Sequence, residues 1–215
     1  MSKTYEILDT VQGSGEWFDM RLGVLTGSKA ERAVGSKLVS EKLIAQLISE
    51  ELAGAEEDIF KSYAMEWGII NEPLAIQQYE LRSGEKCEEI GFIKSTVYPW
   101  IGVSPDRLVK RGEGWHGVEV KCPNTSTLVE YMMEGGLPKK YLAQVVHYFI
   151  VINDMHSLDF IVYDPRVQKT SHQMYRVTVT RKELQDVIDL HKAKYDAFRT
   201  RWEAAQLKVF TLKQA

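Results

Sequence analysis

The chain has 215 residues, 44% of them hydrophobic and 27% charged, a composition that suits one globular domain with a substantial core. No apolar run approaches the roughly 18–20 residues that cross a bilayer, and the N-terminus carries no signal-peptide stretch. We therefore expect a cytoplasmic protein without membrane partners, folded as a single domain over residues 1–215. The cysteines, Cys87 and Cys122, are too few for a disulfide framework or an iron–sulfur cluster, and we expect both to be reduced and buried.

The net charge of −3 does not indicate nucleic-acid binding. Its distribution is uneven: residues 1–120 hold 13 Lys/Arg against 20 Asp/Glu, whereas residues 121–215 hold 14 against 10. A weakly acidic protein can still bind DNA if its basic groups line a cleft and its acids hold a metal ion.

The first half of the chain opens with helical patterns. Apolar residues at helical spacing predict a helix that ends at Gly54, and they are Leu38, Leu43, Ile44, Leu47, Ile48 and Leu52. A second helix is predicted from about Lys61 to Arg82, ending at Ser83-Gly84.

Short β-branched and aromatic segments then predict strands at residues 87–93, 100–104, 107–110 and 116–121, with a turn at 111–114 joining the last two into a hairpin. Helices follow at residues 126–134 and 139–152, and strands at 158–163 and 174–179. A capping box at residues 180–183 opens a final helix with an apolar stripe made of Leu184, Val187, Ile188, Tyr195, Phe198 and Trp202. This order predicts an α/β fold with a central mixed sheet flanked by helices.

The segment that carries chemistry joins the hairpin strands. Asp106 is followed, after twelve residues, by Glu119-Val120-Lys121. Residues two apart on a strand share a face, so Glu119 and Lys121 point together while Val120 points into the core. Two carboxylates and the carbonyl of Val120 suit magnesium, and Lys121 could orient or deprotonate a water or offset charge at a phosphate.

A third acid is needed nearby, and Glu72 on the preceding helix is the candidate. Gln144, on a later helix, could bind the water or the scissile phosphate. Each residue also has an ordinary interpretation: an acid–x–Lys pair arises by chance, Asp106 after Ser-Pro suits a turn, and Glu72 before Pro73 suits a helix end.

Several motifs occur together in a known order. They are Trp17-x3-Arg21-Leu22-Gly23-Val24-Leu25-Thr26-Gly27-Ser28; Trp67-Gly68 with Glu72; Ser104-Pro105-Asp106 with Glu119-Val120-Lys121-Cys122-Pro123; Tyr141-x-Ala143-Gln144; and, more weakly, Tyr163-Asp164-Pro165-Arg166. With these motifs the chain resembles the phage lambda exonuclease and YqaJ-type viral recombinase family of the PD-(D/E)xK nuclease superfamily. The resemblance spans roughly residues 14–166 and implies a restriction-endonuclease-like core.

The resemblance also implies roles for residues. Those matching Glu72, Asp106 and Glu119 hold Mg²⁺, with Mn²⁺ as an alternative and one or two ions per site, together with the carbonyl matching Val120. The lysine matching Lys121 is catalytic, and the glutamine matching Gln144 lies beside it.

A pocket for the 5′-terminal phosphate is implied at Arg21, Ser28 and Ser104. Arg21 offers a planar fork of donors, and Thr26 and Ser28 supply hydroxyls near a predicted helix start. Alternatively, Arg21 is a surface ion-pair partner, and Trp17 and Trp67 are packing residues rather than base-stacking ones.

Two further DNA contacts are expected. Tyr141 belongs to the motif of Gln144, and Met65 falls where the family places an apolar wedge, although a methionine on a helix face is usually core. One departure concerns Arg107, which stands where lambda exonuclease has glycine.

The resemblance implies a processive 5′→3′ exonuclease on linear double-stranded DNA, leaving 3′ overhangs for phage recombination by single-strand annealing. It further implies a toroidal homotrimer, a single-strand annealing partner protein, and a phage or prophage gene in a bacterial host. Two other hypotheses stay open, a restriction-endonuclease-like endonuclease and a catalytically inert DNA-binding recombination scaffold.

Overall fold

The structure is a computed structural model that describes residues 2–56 and 62–212. Its helices are α1 (Gly15–Asp19), α2 (Ala30–Val34), α3 (Lys37–Ala53), α4 (Tyr63–Ser83), α5 (Thr125–Glu134), α6 (Leu142–Val151) and α7 (Gln185–Phe210). Its strands are β1 (Tyr5–Leu8), β2 (Phe92–Ser95), β3 (Gly102–Val103), β4 (Arg107–Arg111), β5 (Gly114–Lys121), β6 (Met155–Tyr163) and β7 (Met174–Thr180). None of the helices in these ranges is long and apolar enough to cross a membrane.

A four-stranded mixed sheet forms the centre of the fold, in the order β4-β5-β6-β7. β4 and β5 form the predicted antiparallel hairpin, β5 and β6 run parallel, and β6 pairs antiparallel with β7. The parallel pair requires a crossover between its strands, and α5 and α6 supply it. The predicted mixed sheet flanked by helices is therefore confirmed.

Helices cover both faces of this sheet. On one face Ala75, Ile76 and Tyr79 of α4 pack against Val118 and Val120 of β5. On the other face lies the larger core, which contains the buried side of α6 together with apolar residues of α3 and α7. Since successive strand residues alternate between faces, Val120 belongs to the α4 side, whereas Glu119 belongs to the opposite side.

The helix ends predicted from the sequence are close to those observed. Gly54 and Gly84 each follow a helix in the left-handed conformation, with φ of 65° and 72°, and cap it through a backbone bond from the glycine N–H. The predicted start at Lys61 lies outside the described residues. α4 continues through Pro73, so Glu72 lies in the middle of a helix and not at its end.

The predicted strand over residues 87–93 is wrong. Glu88 exchanges two backbone bonds with Leu108 as an isolated bridge, and the regular strand begins only at Phe92. Between them Gly91 passes so close to Thr10 that a Cβ atom would lie 2.1 Å from its carbonyl oxygen. The strand predicted over 100–104 shortens to Gly102–Val103.

The structure also contains a second sheet that was not predicted from the sequence. β1, β2 and β3 form a three-stranded antiparallel sheet in that order, separate from the mixed sheet. Its edge strand β1 has only four residues, too few to stand out as an alternating pattern.

The cysteines are both free, as expected, but only Cys122 is buried, whereas Cys87 is partly exposed. The capping box at residues 180–183 forms: the backbone N–H of Thr180 donates to Glu183 at 2.8 Å, and that of Glu183 donates to the Thr180 hydroxyl at 3.2 Å. The regular helix begins just after it, at Gln185.

His147 gives the fold a specific acid sensitivity. It is fully buried on α6, where its Nε2 donates to the carbonyl of Gly102 and its Nδ1 accepts from the Tyr195 hydroxyl. Burial lowers the pKa of His147 to about 4. Between pH 6.5 and pH 4 the imidazole is therefore protonated in the unfolded chain but neutral in the folded chain. The stability that this group contributes is complete above pH 6.5 and is lost as the pH falls towards 4.

We expect the free energy of unfolding to fall by about 2 kcal/mol from this group between pH 7 and pH 5. Urea unfolding of wild type and His147→Gln at the two pH values measures it, because the variant loses this part of the pH dependence. His172→Gln, at an exposed position, is the matched control and keeps the full dependence. Identical pH dependence in all three proteins would contradict the prediction.

Candidate active site

The hairpin brings the two acids of the motif together. Its register pairs Arg107 with Val118 and Arg111 with Gly114, so Asp106, one residue before β4, falls opposite Glu119. The spacing of twelve residues is thus the length of the two paired strands and their turn. Asp106 reaches across the strand and accepts a hydrogen bond from the backbone N–H of Val120 at 2.7 Å.

Glu119 is the centre of the hydrogen-bond network. Its carboxylate is almost completely buried, with 1% of the residue exposed. One oxygen, Oε1, accepts from Lys121 Nζ at 2.5 Å and from Gln144 Nε2 at 2.6 Å. The other, Oε2, accepts from the Tyr148 hydroxyl at 2.8 Å. Each lone pair of a buried carboxylate that finds a donor reduces the cost of burying its charge.

Charges of opposite sign set the protonation of this cluster. Burial, reinforced by the negative charge of Glu119, raises the pKa of Asp106 well above its usual range. For Lys121, burial alone would lower the pKa, but the carboxylates of Glu119 and Asp106 outweigh it and raise the pKa. Lys121 is therefore an ammonium ion here, and it is bonded directly to the Glu119 carboxylate.

A second group of polar side chains surrounds Arg21. Its guanidinium lies over the Trp17 ring, 3.9 Å from the centroid, and Nη1 donates to the Ser104 hydroxyl at 3.2 Å. The Trp17 indole N–H donates to the same hydroxyl at 2.9 Å. Trp17 is therefore a packing residue, as expected, and it holds Arg21 in place. Burial lowers the pKa of Arg21, opposed by the charge of Glu56.

The loop that carries Thr26 and Ser28 is anchored to the sheet. Leu25 is fully buried, and its backbone bonds to the carbonyl of Trp100 at 2.9 Å and to the N–H of Gly102 at 3.1 Å. Just after this anchor, the hydroxyls of Thr26 and Ser28 lie 3.3 Å apart. The loop then turns into a short 3-10 helix at Gly27–Lys29.

Both groups face one cavity of about 170 Å³. Its lining consists of Gln12, Trp17, Arg21, Thr26, Gly27, Ser28, Ser104, Asp106, Glu119, Lys121, Gln144 and Tyr148. Eight of the twelve residues expected from the sequence to form the site therefore meet in one space, although they come from five separate stretches of the chain.

Glu72 lies outside that lining. It is on α4, which packs on the opposite face of β5, and one of its oxygens is 3.4 Å from Nη1 of Arg107. Burial raises the pKa of Glu72; the charge of Arg107 opposes this, and that of Glu119 adds to it. Glu72 is thus within electrostatic range of the cluster but is paired with an arginine.

The other three expected residues, Val120, Tyr141 and Met65, do not line the cavity either. Val120 contributes its backbone to β5, while its side chain packs in the core. Tyr141 precedes α6, with Lys121 Nζ 5.4 Å and Lys140 Nζ 4.8 Å from its ring centroid. Met65, in the first turn of α4, is 45% exposed, so the alternative that it is a core residue is wrong.

Within residues 2–56 and 62–212, no three acidic, histidine or cysteine side chains are gathered closely enough to hold a metal ion by themselves. The arrangement explains this result. Asp106 and Glu119 are adjacent, but Glu72 is engaged by Arg107, and the remaining ligand expected from the sequence is a backbone carbonyl.

Three residues that line the cavity were not predicted from the sequence as site residues: Tyr148, Gln12 and Gly27. Tyr148 lies four residues after Gln144, so helical spacing could have placed both on one face of α6. Gln12 holds the loop before Asp106 through the carbonyls of Ile90 and Pro105, at 2.7 and 3.0 Å, and nothing in the sequence signals it. Gly27 was part of a motif, but its contact with Tyr148 depends on the tertiary structure.

Comparison with known proteins shows which family the chain belongs to. The model of the YqaJ-like viral recombinase domain matches residues 16–155. The chain belongs to this family. The matched region contains every residue that lines the cavity except Gln12. No curated protein sequence matches the chain.

Solved structures agree with the family assignment. This YqaJ-like domain is 29% identical to an alkaline exonuclease from Laribacter hongkongensis, with a TM-score of 0.81 over 91% of this chain and 96% of that chain. The same enzyme in complex with dAMP gives 28% identity and a TM-score of 0.82 over the same shares. A phage-related exonuclease from Haemophilus somnus 129PT, 14% identical with a TM-score of 0.62, covers 86% of this chain and 96% of its own, and shares the fold.

Proposed function

We propose that this chain is a metal-dependent exonuclease that digests linear duplex DNA from a 5′ end. The observation that carries the proposal is that one cavity combines the Asp106, Glu119 and Lys121 cluster with the arginine and hydroxyls of the Arg21 group. The first group suits hydrolysis of a phosphodiester, and the second suits a terminal phosphate. The alkaline exonuclease resemblance supports the same reaction class.

The donor set fits a hard divalent cation, Mg²⁺ or Mn²⁺. Asp106 and Glu119 offer carboxylate oxygens and Val120 a carbonyl, and the pKa of Asp106 is raised first by burial and then by the charge of Glu119. Glu72 would join this set if its carboxylate left the ion pair with Arg107 and bound the cation instead. The bound cation would polarise the phosphodiester and lower the pKa of a water, with one or two ions per site.

The chain's own side chains prepare the substrate. Lys121, held as an ammonium by Glu119, offsets charge at the scissile phosphate, which its raised pKa favours over a role as general base. Gln144 donates its two amide protons to Glu119 and to the Tyr148 hydroxyl, so its side-chain carbonyl oxygen is the atom that can accept a hydrogen bond from the attacking water.

Arg21 and the hydroxyls around it are proposed to hold the 5′-terminal phosphate. Arg21 is partly buried, and the side chains that it contacts directly, Trp17 and Ser104, are neutral, so its guanidinium is not paired with a carboxylate there. A guanidinium can donate two parallel hydrogen bonds to a phosphate, and Ser28 and Thr26 add hydroxyl donors on the facing loop. A terminal phosphate fixed there would place the first phosphodiester near Glu119.

Other expectations remain proposals that rest on the family resemblance. Tyr141, with two lysines beside its ring, is suited to contact a DNA strand, and exposed Met65 to separate the strands at the duplex end. Processive 5′→3′ digestion, a ring-shaped homotrimer and a single-strand annealing partner belong to the same set.

The test compares linear duplex DNA that carries a 5′ phosphate, the same duplex with a 5′ hydroxyl, and a covalently closed circle, each with Mg²⁺. We expect degradation of the linear duplex from its 5′ ends, faster with the phosphate, and no cleavage of the circle. Arg21→Gln should remove the preference for the phosphate. Because one charged hydrogen bond is lost, we expect the rate on the 5′-phosphorylated duplex to fall by roughly ten- to a hundredfold.

Arg201→Gln provides the matched control, because Arg201 forms an exposed ion pair with Glu41 away from the cavity. It should digest both linear substrates at the wild-type rate. Linearisation of the circle would support the endonuclease hypothesis instead, and DNA binding without any hydrolysis would support the inert scaffold.

A further inference from the structure

Tyr148 connects the two halves of the cavity. It is 3% exposed and lies one helical turn after Gln144 on α6. Its hydroxyl donates to Glu119 Oε2 at 2.8 Å and accepts from Gln144 Nε2 at 2.9 Å. Since Oε1 of Glu119 is occupied by Lys121 and Gln144, Tyr148 is the partner that fixes the second oxygen. Burial, together with the charge of Glu119, raises the pKa of Tyr148, which keeps this donor protonated.

The ring of Tyr148 is in contact with the loop of the Arg21 group. A Cβ atom on Gly27 would lie 2.6 Å from Cε1 of Tyr148 and 3.4 Å from Cγ of Gln144. The backbone φ of Gly27 is not positive, so a glycine is required here by the approach of the ring and not by the backbone conformation. Thr26 and Ser28, on either side of Gly27, line the cavity.

The loop that contacts the Tyr148 ring is itself anchored to the sheet. The loop is tied to β3 by the backbone bond between Leu25 and Gly102, and Leu25 is fully buried. A shift of Gly27 towards α6 must therefore be taken up by the Tyr148 ring. Because the hydroxyl lies at the end of that ring, any such shift moves the donor that holds Glu119.

We propose that Tyr148 is a positioning residue that couples occupation of the terminal-phosphate pocket to the placement of Glu119. A phosphate bound by Arg21 and Ser28 fixes the position of the loop around Gly27. The loop fixes the position of the Tyr148 ring, and the Tyr148 hydroxyl in turn fixes the position of the Glu119 carboxylate. The proposal rests on the proposed function and adds that the terminal phosphate acts on the rate of the reaction and not only on binding.

Tyr148→Phe removes one oxygen and keeps the ring. We expect Mn²⁺ affinity, measured by calorimetry without DNA, to fall roughly 10- to 100-fold, as for other hydrogen bonds to metal ligands. On 5′-phosphorylated duplex, kcat should fall by a similar factor while KM changes less than twofold, because Arg21 and Ser28 are intact. The ratio of kcat between 5′-phosphate and 5′-hydroxyl ends should approach one.

Gly27→Ala tests the same link from the other side, because it keeps the hydroxyl but displaces the ring. It should reduce the kcat ratio as Tyr148→Phe does, and the two changes together should cost no more than either alone, which is the signature of coupled sites. Tyr195→Phe is the matched control: it removes another buried hydroxyl, bonded to His147 on the same helix, and should leave Mn²⁺ affinity and the kcat ratio unchanged.

The outcomes separate the inference from the proposed function. If wild type fails to hydrolyse DNA, the proposed function and this coupling both fail, whereas the Mn²⁺ measurement still tests the bond to Glu119. If wild type is active and Tyr148→Phe retains its kcat ratio, the coupling is overturned, whatever happens to metal affinity. Additive effects of Gly27→Ala and Tyr148→Phe would overturn it as well.

Discussion

Lys121→Ala is expected to reduce metal-dependent hydrolysis of linear duplex DNA by roughly a hundred- to a thousandfold, the cost of removing one pre-positioned donor to a developing negative charge. Lys121 Nζ is bonded to Glu119 at 2.5 Å and faces the shared cavity, whereas Arg21, the other cation in the described lining, is held by Trp17 and Ser104. Initial rates under saturating Mg²⁺ measure the effect.

Removal of Lys121 also leaves Glu119 buried with one partner fewer, and the fold must therefore be monitored. Lys121→Met keeps the packing of the aliphatic chain beside Tyr141, and circular dichroism with thermal unfolding shows whether either variant is folded. Lys110→Ala, an exposed lysine on the same hairpin, is the matched control and should hydrolyse at the wild-type rate. A folded Lys121 variant that cuts as fast as wild type would disprove the assignment of the active site.

Trp202→Ala is expected to lower the free energy of unfolding by about 3–5 kcal/mol, as large-to-small changes of buried aromatic residues do. Trp202 lies on α7, is completely buried, and packs edge-on against Trp100 and Phe198 with centroids 6.0 and 5.8 Å apart. The C-terminal helix, which carries no family motif, is by this measure part of the main core and not an appendage.

Urea unfolding followed by circular dichroism measures this change. The matched control is Leu207→Ala on the same helix, because Leu207 is 67% exposed and its truncation should change stability by less than about 0.5 kcal/mol. If Trp202→Ala costs no more than Leu207→Ala, α7 does not stabilise the domain. DNA hydrolysis below the melting temperature should be retained in both, since α7 contributes no residue to the lining of the cavity.

The motif around Asp106 shows why part of the site was predictable. Hairpin register is fixed by strand length and turn, so the spacing to Glu119 already implied that the two acids are opposite each other. The alternation of strand residues placed Glu119 and Lys121 on one face and Val120 on the other, and the structure agrees. These relations are local, and for that reason the sequence contains them.

Relations between distant segments were not predictable in the same way. The pairing of Glu72 with Arg107 depends on how α4 crosses the sheet, and the sequence showed only that an arginine replaces the glycine of lambda exonuclease. The β1–β3 sheet depends on pairing between residues about ninety positions apart, as with Tyr5 and Ser95. Short strands of this kind gain their stability from the partner and not from their own pattern.

The amino-acid sequence by itself determined the helices with their glycine ends, the acidic hairpin and, through its motifs, the family. Only the tertiary structure decided that Arg21, Ser28 and Ser104 share one cavity with Asp106 and Glu119, that Glu72 is held apart by Arg107, and that Tyr148 joins the two halves. The physical reason is that spacing along a helix or strand fixes which residues share a face. Which faces meet is decided by burial of apolar surface across the whole domain, because that driving force has no direction of its own.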